Sequence, residues 1–265
     1  VGDGFKLIMC ALGVDFAEAA RQVDKIVGNI EAEPFRQTVD LDRRRQSLND
    51  TWQHAKSPTI VTNYLKGRSI PTEIIAQARD LRGHKNLRHI DNEKNHTYRQ
   101  AMVALIRNSK GEPISIHRTY IGILPKEKKI MPPLEKITGG CVRLGEPDET
   151  LVLAEGIETA LAAWSITGHP AWATISAHGL AEMKSIPRHV KRVIVAADND
   201  ESFTGQAAAF ECAKYMKNRL SVETVVTMPR HLGYDMLDVL NRLCEDNLYI
   251  KGGHEDQIGL LRWAP

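Results

Sequence analysis

The chain has 265 residues, 42% hydrophobic and 26% charged, with a formal net charge of +2, a profile expected of a globular protein with one large or two modest domains. No apolar run of about 18 residues occurs, and no basic leader followed by an apolar stretch opens the chain, which argues against a membrane span or a secretory signal. Cys10, Cys141, Cys212 and Cys244 are isolated; with no C-x-x-C pair a complete zinc ribbon is excluded from these residues, and a reducing, cytoplasmic setting is expected. The small net charge conceals an asymmetry. Residues 51–145 carry 17 Lys+Arg against 7 Asp+Glu, and residues 151–265 carry 11 against 14, which points to a polyanion-binding surface beside an acidic cluster, or to a solvated basic face.

In chain order, the first 30 residues read as a small helical unit. Asp15 and Glu18 have capping-box spacing, Phe16, Ala19, Ala20, Val23 and Val27 form one apolar stripe, and Gly28 stops the helix. Residues 31–56 are polar, with Pro34 and the run Arg43-Arg44-Arg45, and read as a linker or an exposed helix. Helices are expected around Ile60–Leu65 and Pro71–Arg79, where a proline in the first turn forfeits no helical hydrogen bond. After a polar stretch from Gly83 to Thr97, Ala101–Ile106 is strand-like, Asn108-Ser109-Lys110-Gly111 is turn material and Pro113–Ile121 returns, which predicts a hairpin. Lys126–Lys129 is a short basic run and Gly139-Gly140 a break. From Leu151 the rhythm changes. Short apolar runs at Leu151–Ala154, Ala171–Ile175, Val193–Ala197 and Thr224–Met228 alternate with helical stretches at Ile157–Thr167, Gly179–Lys184 and Gly205–Leu220. Such alternation predicts an α/β fold with a four-stranded, mainly parallel sheet covered by helices on both faces.

In a parallel sheet, functional groups collect at the carboxyl ends of strands. Two of the four strands end in acid there: the first runs into Glu155-Gly156 and the third into Asp198-Asn199-Asp200. Residues two apart in extended backbone point the same way, so Asp198 and Asp200 aim at one point, and Glu155 joins them from a nearby strand. Three carboxylates in one crevice repel unless a hard divalent cation lies between them, and oxygen-only ligation favours Mg²⁺ or Mn²⁺. The plainer reading is that these acids cap helices, which is the role expected of Glu158.

The stretch Glu155-Gly156-Ile157-Glu158-Thr159-Ala160 resembles the E-G opening of the Toprim domain shared by DnaG-type primases, topoisomerases and some nucleases. Asp198-Asn199-Asp200, followed by Gly205-Gln206-Ala207-Ala208, resembles the same domain's D-x-D stretch, with about two extra residues before the glycine. Ser176-Ala177-His178-Gly179-Leu180 matches the small-residue turn after its second strand. Gly233-Tyr234-Asp235-Met236-Leu237-Asp238-Val239-Leu240 is similar to its K-D-W-N-D-x-L segment, with tyrosine and leucine where tryptophan and asparagine are usual. Upstream, Tyr98–Arg107 with Gly111 and Ile116–Tyr120 is similar to the α+β subdomain preceding Toprim in DnaG-type primases. Gly139-Gly140-Cys141-Val142-Arg143-Leu144 resembles the approach found in the phage and plasmid branch.

The resemblance implies Glu155, Asp198 and Asp200 as catalytic metal ligands, with Asp235 and Asp238 as further ligands or as helix caps. It implies Arg99, Arg118, Lys128, Lys129 and Arg143, with Ser176 and Gly179, as contacts to nucleotide or DNA; the basic residues also read as ordinary surface charge. Residues 1–30 resemble the tail of a CHC-type zinc-binding module, so zinc is expected only in a missing upstream part, and Val1 in place of methionine reads as a fragment or a processed chain. The expected organisation is 1–30 remnant, 31–56 linker, 57–145 basic primase subdomain, 146–245 Toprim domain and 246–265 extension. The implied activity is metal-dependent primer synthesis from nucleoside triphosphates on single-stranded DNA, with a replicative helicase as a further partner and no membrane. A Toprim nuclease and a non-catalytic DNA-binding module are the alternatives.

Overall fold

The structure is a computed structural model that describes residues 4–27, 41–123, 127–245 and 261–264. Gly28, Pro34, Lys126 and most of the 246–265 extension lie outside the described residues. The chain divides into two compact units, Val1–Asp40 and Leu41–Pro265. In the first, α1 (Gly4–Leu12) and α2 (Phe16–Val27) form a helical pair. The Glu18 N–H donates to Asp15 Oδ1 at 2.8 Å, the expected cap, and Phe5 packs on Phe16 with ring centroids 5.1 Å apart.

The second unit opens with α3 (Leu41–His54), so the Arg43–Arg45 run is helical; Leu48 is its buried residue. Then come α4 (Pro58–Lys66) and α5 (Thr72–Gln77). An antiparallel meander follows in the order β1 (Leu81–Ile90), β2 (His96–Arg107), β3 (Pro113–Tyr120), β4 (Lys128–Ile130). The expected hairpin is β2–β3, and β2 is buried on both faces from Ala101 to Ile106. The sequence reads Gly83–Thr97 as a polar stretch without a strand; the structure runs β1 through most of it. A register break between His84 and Leu87 interrupts the alternation, leaving Gly83, Leu87 and His89 as the buried positions. A bulge of this kind erases the period of two that identifies a strand.

The second sheet has the order β10-β9-β8-β6-β7-β5. Its centre is the expected parallel set: β6 (Thr150–Ala154), β7 (Ala171–Ala173), β8 (Arg192–Ala196) and β9 (Glu223–Pro229). Two short antiparallel strands, β5 (Val142–Arg143) and β10 (Leu261–Ala264), widen it to six. Val152, Ala154, Ile194 and Ala196 face one cluster with α6 (Ile157–Thr167) and α9 (Met236–Glu245). Leu151, Leu153, Val193 and Val195 face the other with α7 (Ala177–Ala181) and α8 (Thr204–Arg219). The first cluster runs on into α4, α5 and the meander through Leu65, Ile74, Met102 and Ile106, and paired backbone bonds between Arg107 and Cys141 tie the two sheets.

Gly83 is where α4 and β1 come closest: its carbonyl accepts from the Ser57 N–H at 3.0 Å, and an added Cβ would lie 2.1 Å from the Ser57 carbonyl oxygen. Gly83→Ala is therefore expected to destabilise by about 1–3 kcal/mol and to lower Tm by several degrees. Gly67, with φ −63° and only ordinary contacts at 3.4 Å, is expected to respond with the opposite sign, gaining about 0.4–1 kcal/mol as alanine. Thermal unfolding of the two variants checks both; an unchanged Tm in Gly83→Ala contradicts the packing described.

Candidate metal centre

The chain leaves β6 for β7 on one side, while β8 pairs with β6 on the other. The strand order thus reverses at β6/β8, the place beyond whose carboxyl ends open α/β sheets generally form a crevice. Glu155 follows β6 directly, with Gly156 at the start of α6. Asp198, Asn199 and Asp200 follow β8, whose direction is continued by the Ala197 N–H donating to the Thr227 carbonyl at 2.9 Å. The expected alternation divides the labour. Asn199 turns to the β9–α9 loop, where its amide donates to the carbonyls of Pro229 at 3.0 Å and His231 at 3.1 Å, and its N–H to the Tyr234 carbonyl at 3.0 Å. That loop delivers Asp235 to the same crevice, where the Thr159 hydroxyl of α6 reaches its Oδ2 at 3.4 Å.

Asp198 is the electrostatic centre. Its Oδ1 is buried and has no hydrogen-bond partner, and its carboxyl is pushed up to about 7, first by burial and then by Asp235, Glu155, Asp200 and Asp238. Burial also raises Glu155, with Asp200 adding to the effect; the Ala177 N–H and the Lys128 ammonium pull the other way. Asp235 is raised by burial and by Asp238 against the N–H groups of Asp238 and Leu237. These two acids also cap α9 reciprocally: the Asp238 N–H donates to Asp235 Oδ1 and the Asp235 N–H to Asp238 Oδ2, both at 3.0 Å. Asp200 sits differently. The Ser202 hydroxyl at 2.6 Å and the Gly205 N–H at 2.9 Å hold its carboxylate low, in the loop with the two extra residues.

A hard cation fits this chemistry, since the donors are carboxylate oxygens and one of them is buried without a partner. Among the described residues, however, no three Asp, Glu, His or Cys side chains converge closely enough to hold an ion. Asp200, expected to aim with Asp198 at one point, is turned toward its own loop.

The basic residues are mostly engaged within the fold. Arg143 lies over the Trp172 ring, 4.6 Å from its centroid, and donates to the Asn108 and Ser109 carbonyls. Arg118 lies over Tyr120 and donates to its hydroxyl at 3.2 Å. Lys129 pairs with Glu127 at 2.5 Å and donates to the Ile90 carbonyl, while Arg99 is exposed on β2. Ser176 caps α7 by accepting from the Gly179 N–H at 3.0 Å. Gly179 is there because a Cβ would lie 2.2 Å from the Thr174 carbonyl oxygen. Lys128 reaches Glu158 at 3.0 Å. Glu158, expected only to cap its helix, does more: besides its own N–H it accepts from the Tyr64 hydroxyl at 2.6 Å, it is buried, and it is held down to about 2 despite desolvation, first by Lys128 and then by Tyr64. Tyr64 lies in no motif, and for neither Tyr64 nor Thr159 does the sequence signal the contact, because their partners lie 94 and 76 residues away.

The Toprim domain family model matches residues 150–245, and the model of a domain of unknown function (DUF7146) matches residues 42–144. No curated protein matches the sequence. Among solved structures, the DnaG catalytic core superposes with a TM-score of 0.52 at 15% identity, covering 76% of this chain and 75% of that one. The DnaG primase catalytic domain bound to ssDNA gives 0.51 at 14% identity, covering 76% of each. The E. coli primase catalytic core gives 0.50 at 14%, covering 76% of this chain and 75% of that one. Residues 150–245 are a Toprim domain, and the fold is that of DnaG-type primase catalytic cores. No helix among the described residues is long and apolar enough to cross a membrane.

The raised carboxyl of Asp198 links stability to pH. Its folded value, about 7, exceeds the ordinary 3.8, so the folded state favours the proton, and stability is lost as pH rises from about 4 through about 7. In metal-free buffer Asp198→Asn is expected to melt higher than the parent at pH 8, by an amount on the order of a few kcal/mol at most, and to match it near pH 4. Mn²⁺ at pH 8 is expected to raise the Tm of the parent alone. Equal melting of the two proteins at every pH contradicts the clustering of charge around Asp198.

Proposed function

We propose that this chain is a DNA primase catalytic core, joining nucleoside triphosphates into short primers on a single-stranded DNA template. The observation that carries the reading is the buried, unpartnered oxygen of Asp198 among four further carboxylates at the β6/β8 switch of a Toprim sheet. The fold likeness to a DnaG primase catalytic domain bound to ssDNA supports the choice of template.

In the proposed reaction the 3′ oxygen of one nucleotide attacks the α-phosphorus of the next. The new P–O bond forms as the bond to pyrophosphate breaks, and the hydroxyl proton passes to solvent water. Asp198, with Asp235 and Glu155 as the carboxylates acting on it most strongly, would hold Mg²⁺ or Mn²⁺. When bound, that ion would offset the negative charge gathered on the phosphate oxygens. The protein's own part is positioning: β6 and β8 fix Glu155 and Asp198 at one edge, Asn199 ties down the loop carrying Asp235, and the basic meander offers Arg99 to the template backbone.

Incubation with single-stranded DNA, labelled nucleotides and Mg²⁺ or Mn²⁺ is expected to yield short oligonucleotides. Asp198→Asn and Glu155→Gln should each lose product by about a hundredfold or more, the scale on which charge stabilisation at a reacting centre acts. Binding to single-stranded DNA should weaken steeply with salt, and Arg99→Ala should reduce the log–log salt slope by about one if that side chain meets a phosphate. Cleavage of the DNA without nucleotides would favour a Toprim nuclease, and full activity in both acid variants would remove the site assignment.

A further inference from the structure

Lys128 stands between two carboxylates of unequal standing. Its ammonium lies 3.0 Å from Glu158 Oε2, and its charge also reaches Glu155, whose carboxyl it draws down against burial. Glu158 belongs to the first turn of α6, three residues after Glu155, yet is only 5% exposed. Its other oxygen accepts from the Tyr64 hydroxyl of α4 at 2.6 Å. Three elements distant in sequence (α4, β4 and α6) therefore meet on one carboxylate.

Two further cations lie in the surroundings, Arg68 acting on Tyr64 and Arg118 on His117, but Lys128 is the one that pairs with Glu158. His117 of β3, paired with Ile130 of β4, is buried nearby, and burial followed by Lys128 lowers it to about 4, so it is neutral at physiological pH. Lys128 itself lies on the edge strand β4, with its side chain 43% exposed, and a flexible four-carbon stem lets it move. Were Glu158 uncharged, Glu155, the other carboxylate on which that charge acts, would be left to draw the ammonium. An ammonium seated there would occupy the oxygens a cation needs.

We propose that Glu158 and Tyr64 are positioning residues that hold Lys128 at the rim of the acidic crevice and keep its ammonium off the metal-binding acids. The inference rests on the metal-site reading given above. It accounts for a charged carboxylate being buried beside an acidic crevice, where a neutral side chain would avoid both desolvation and repulsion. Tyr64 occupies one oxygen and leaves the other to Lys128, so the lysine has one defined seat.

Mn²⁺ binding to the whole chain, followed by the loss of free-Mn²⁺ EPR signal, tests this without reference to activity. Glu158→Gln should weaken Mn²⁺ binding by about tenfold, the effect of roughly one pKa unit at an interacting site. Lys128→Met should bind as tightly as the parent or tighter, and Glu158→Gln combined with Lys128→Met should return to within about twofold of Lys128→Met, since the coupling runs through the lysine. Tyr64→Phe should shift binding the same way by a smaller factor, again erased by Lys128→Met; it carries the test if Glu158→Gln fails to fold. Unchanged Mn²⁺ affinity in a folded Glu158→Gln or in Tyr64→Phe, or a loss that Lys128→Met does not rescue, overturns the proposal alone. A parent chain that binds no Mn²⁺ overturns the metal-site reading and this inference with it.

Discussion

Asp198 has an oxygen buried without a hydrogen bond, and four other carboxylates act on it. A carboxylate at a surface would escape such repulsion by rotating into water. This one follows β8, which is buried from Val193 to Ala196 and covered by α6 and α9 on one face and α7 and α8 on the other. Its acidic neighbours are constrained as well. Glu155 follows a strand buried in the same way, and Asp235 is tied into the N-terminal cap of α9. Apolar packing therefore holds together charges that would otherwise separate, and the remaining routes to relief are a proton or a cation. The raised carboxyl of Asp198 follows from that constraint.

The loops carry the constraint between elements. Asn199 stands between two aspartates that share a motif, yet it faces the opposite way and fastens residues 229–234. The loop after Asp200 has its own economy: Ser202 and Thr204 turn toward the Asp200 carboxylate, and Phe203 adopts a φ of +59°. A non-glycine residue in that conformation is uncommon and is held by surrounding bonds. Another stands at Ile175, with φ +73°, just after β7; its N–H donates to the Glu155 carbonyl at 2.8 Å. A β-branched residue so placed is strained, and it lies on the turn beside the first acid of the crevice.

The central strands and their acids were legible because buried parallel strands are short apolar runs, and an acid immediately after one has few structural uses. The helical stripe of α2 and the β2–β3 hairpin were legible for similar local reasons. Edge strands β5 and β10 were not, since two to four residues carry no period and owe their form to a partner. Strand β1 was hidden by its bulge. Glu158 was misread for a different reason: an acid in a first turn usually sits near water and the helix dipole, and nothing local signals that Tyr64 and Lys128 will enclose it. The same holds for the basic residues. A sequence counts charges but does not show that Arg143 is committed to the Asn108–Ser109 turn or Lys129 to Glu127.

The opposite fates of two buried carboxylates in adjoining segments show how the charge asymmetry of the chain is used. Glu158 is held near 2 with both oxygens occupied, one by a hydroxyl and one by an ammonium. Asp198 is driven to about 7 with one oxygen unmet and like charges as the largest influences after burial. Burial alone does not separate them, for it raises both. What separates them is the sign of the neighbour. The basic meander contributes one lysine to the Toprim helix at Glu158, whereas the strongest charges on Asp198 are those of Asp235, Glu155, Asp200 and Asp238. Glu158 is thus satisfied by a hydroxyl and an ammonium, while Asp198 keeps an unmet, desolvated oxygen, a group whose burial is relieved by a proton or by a hard cation.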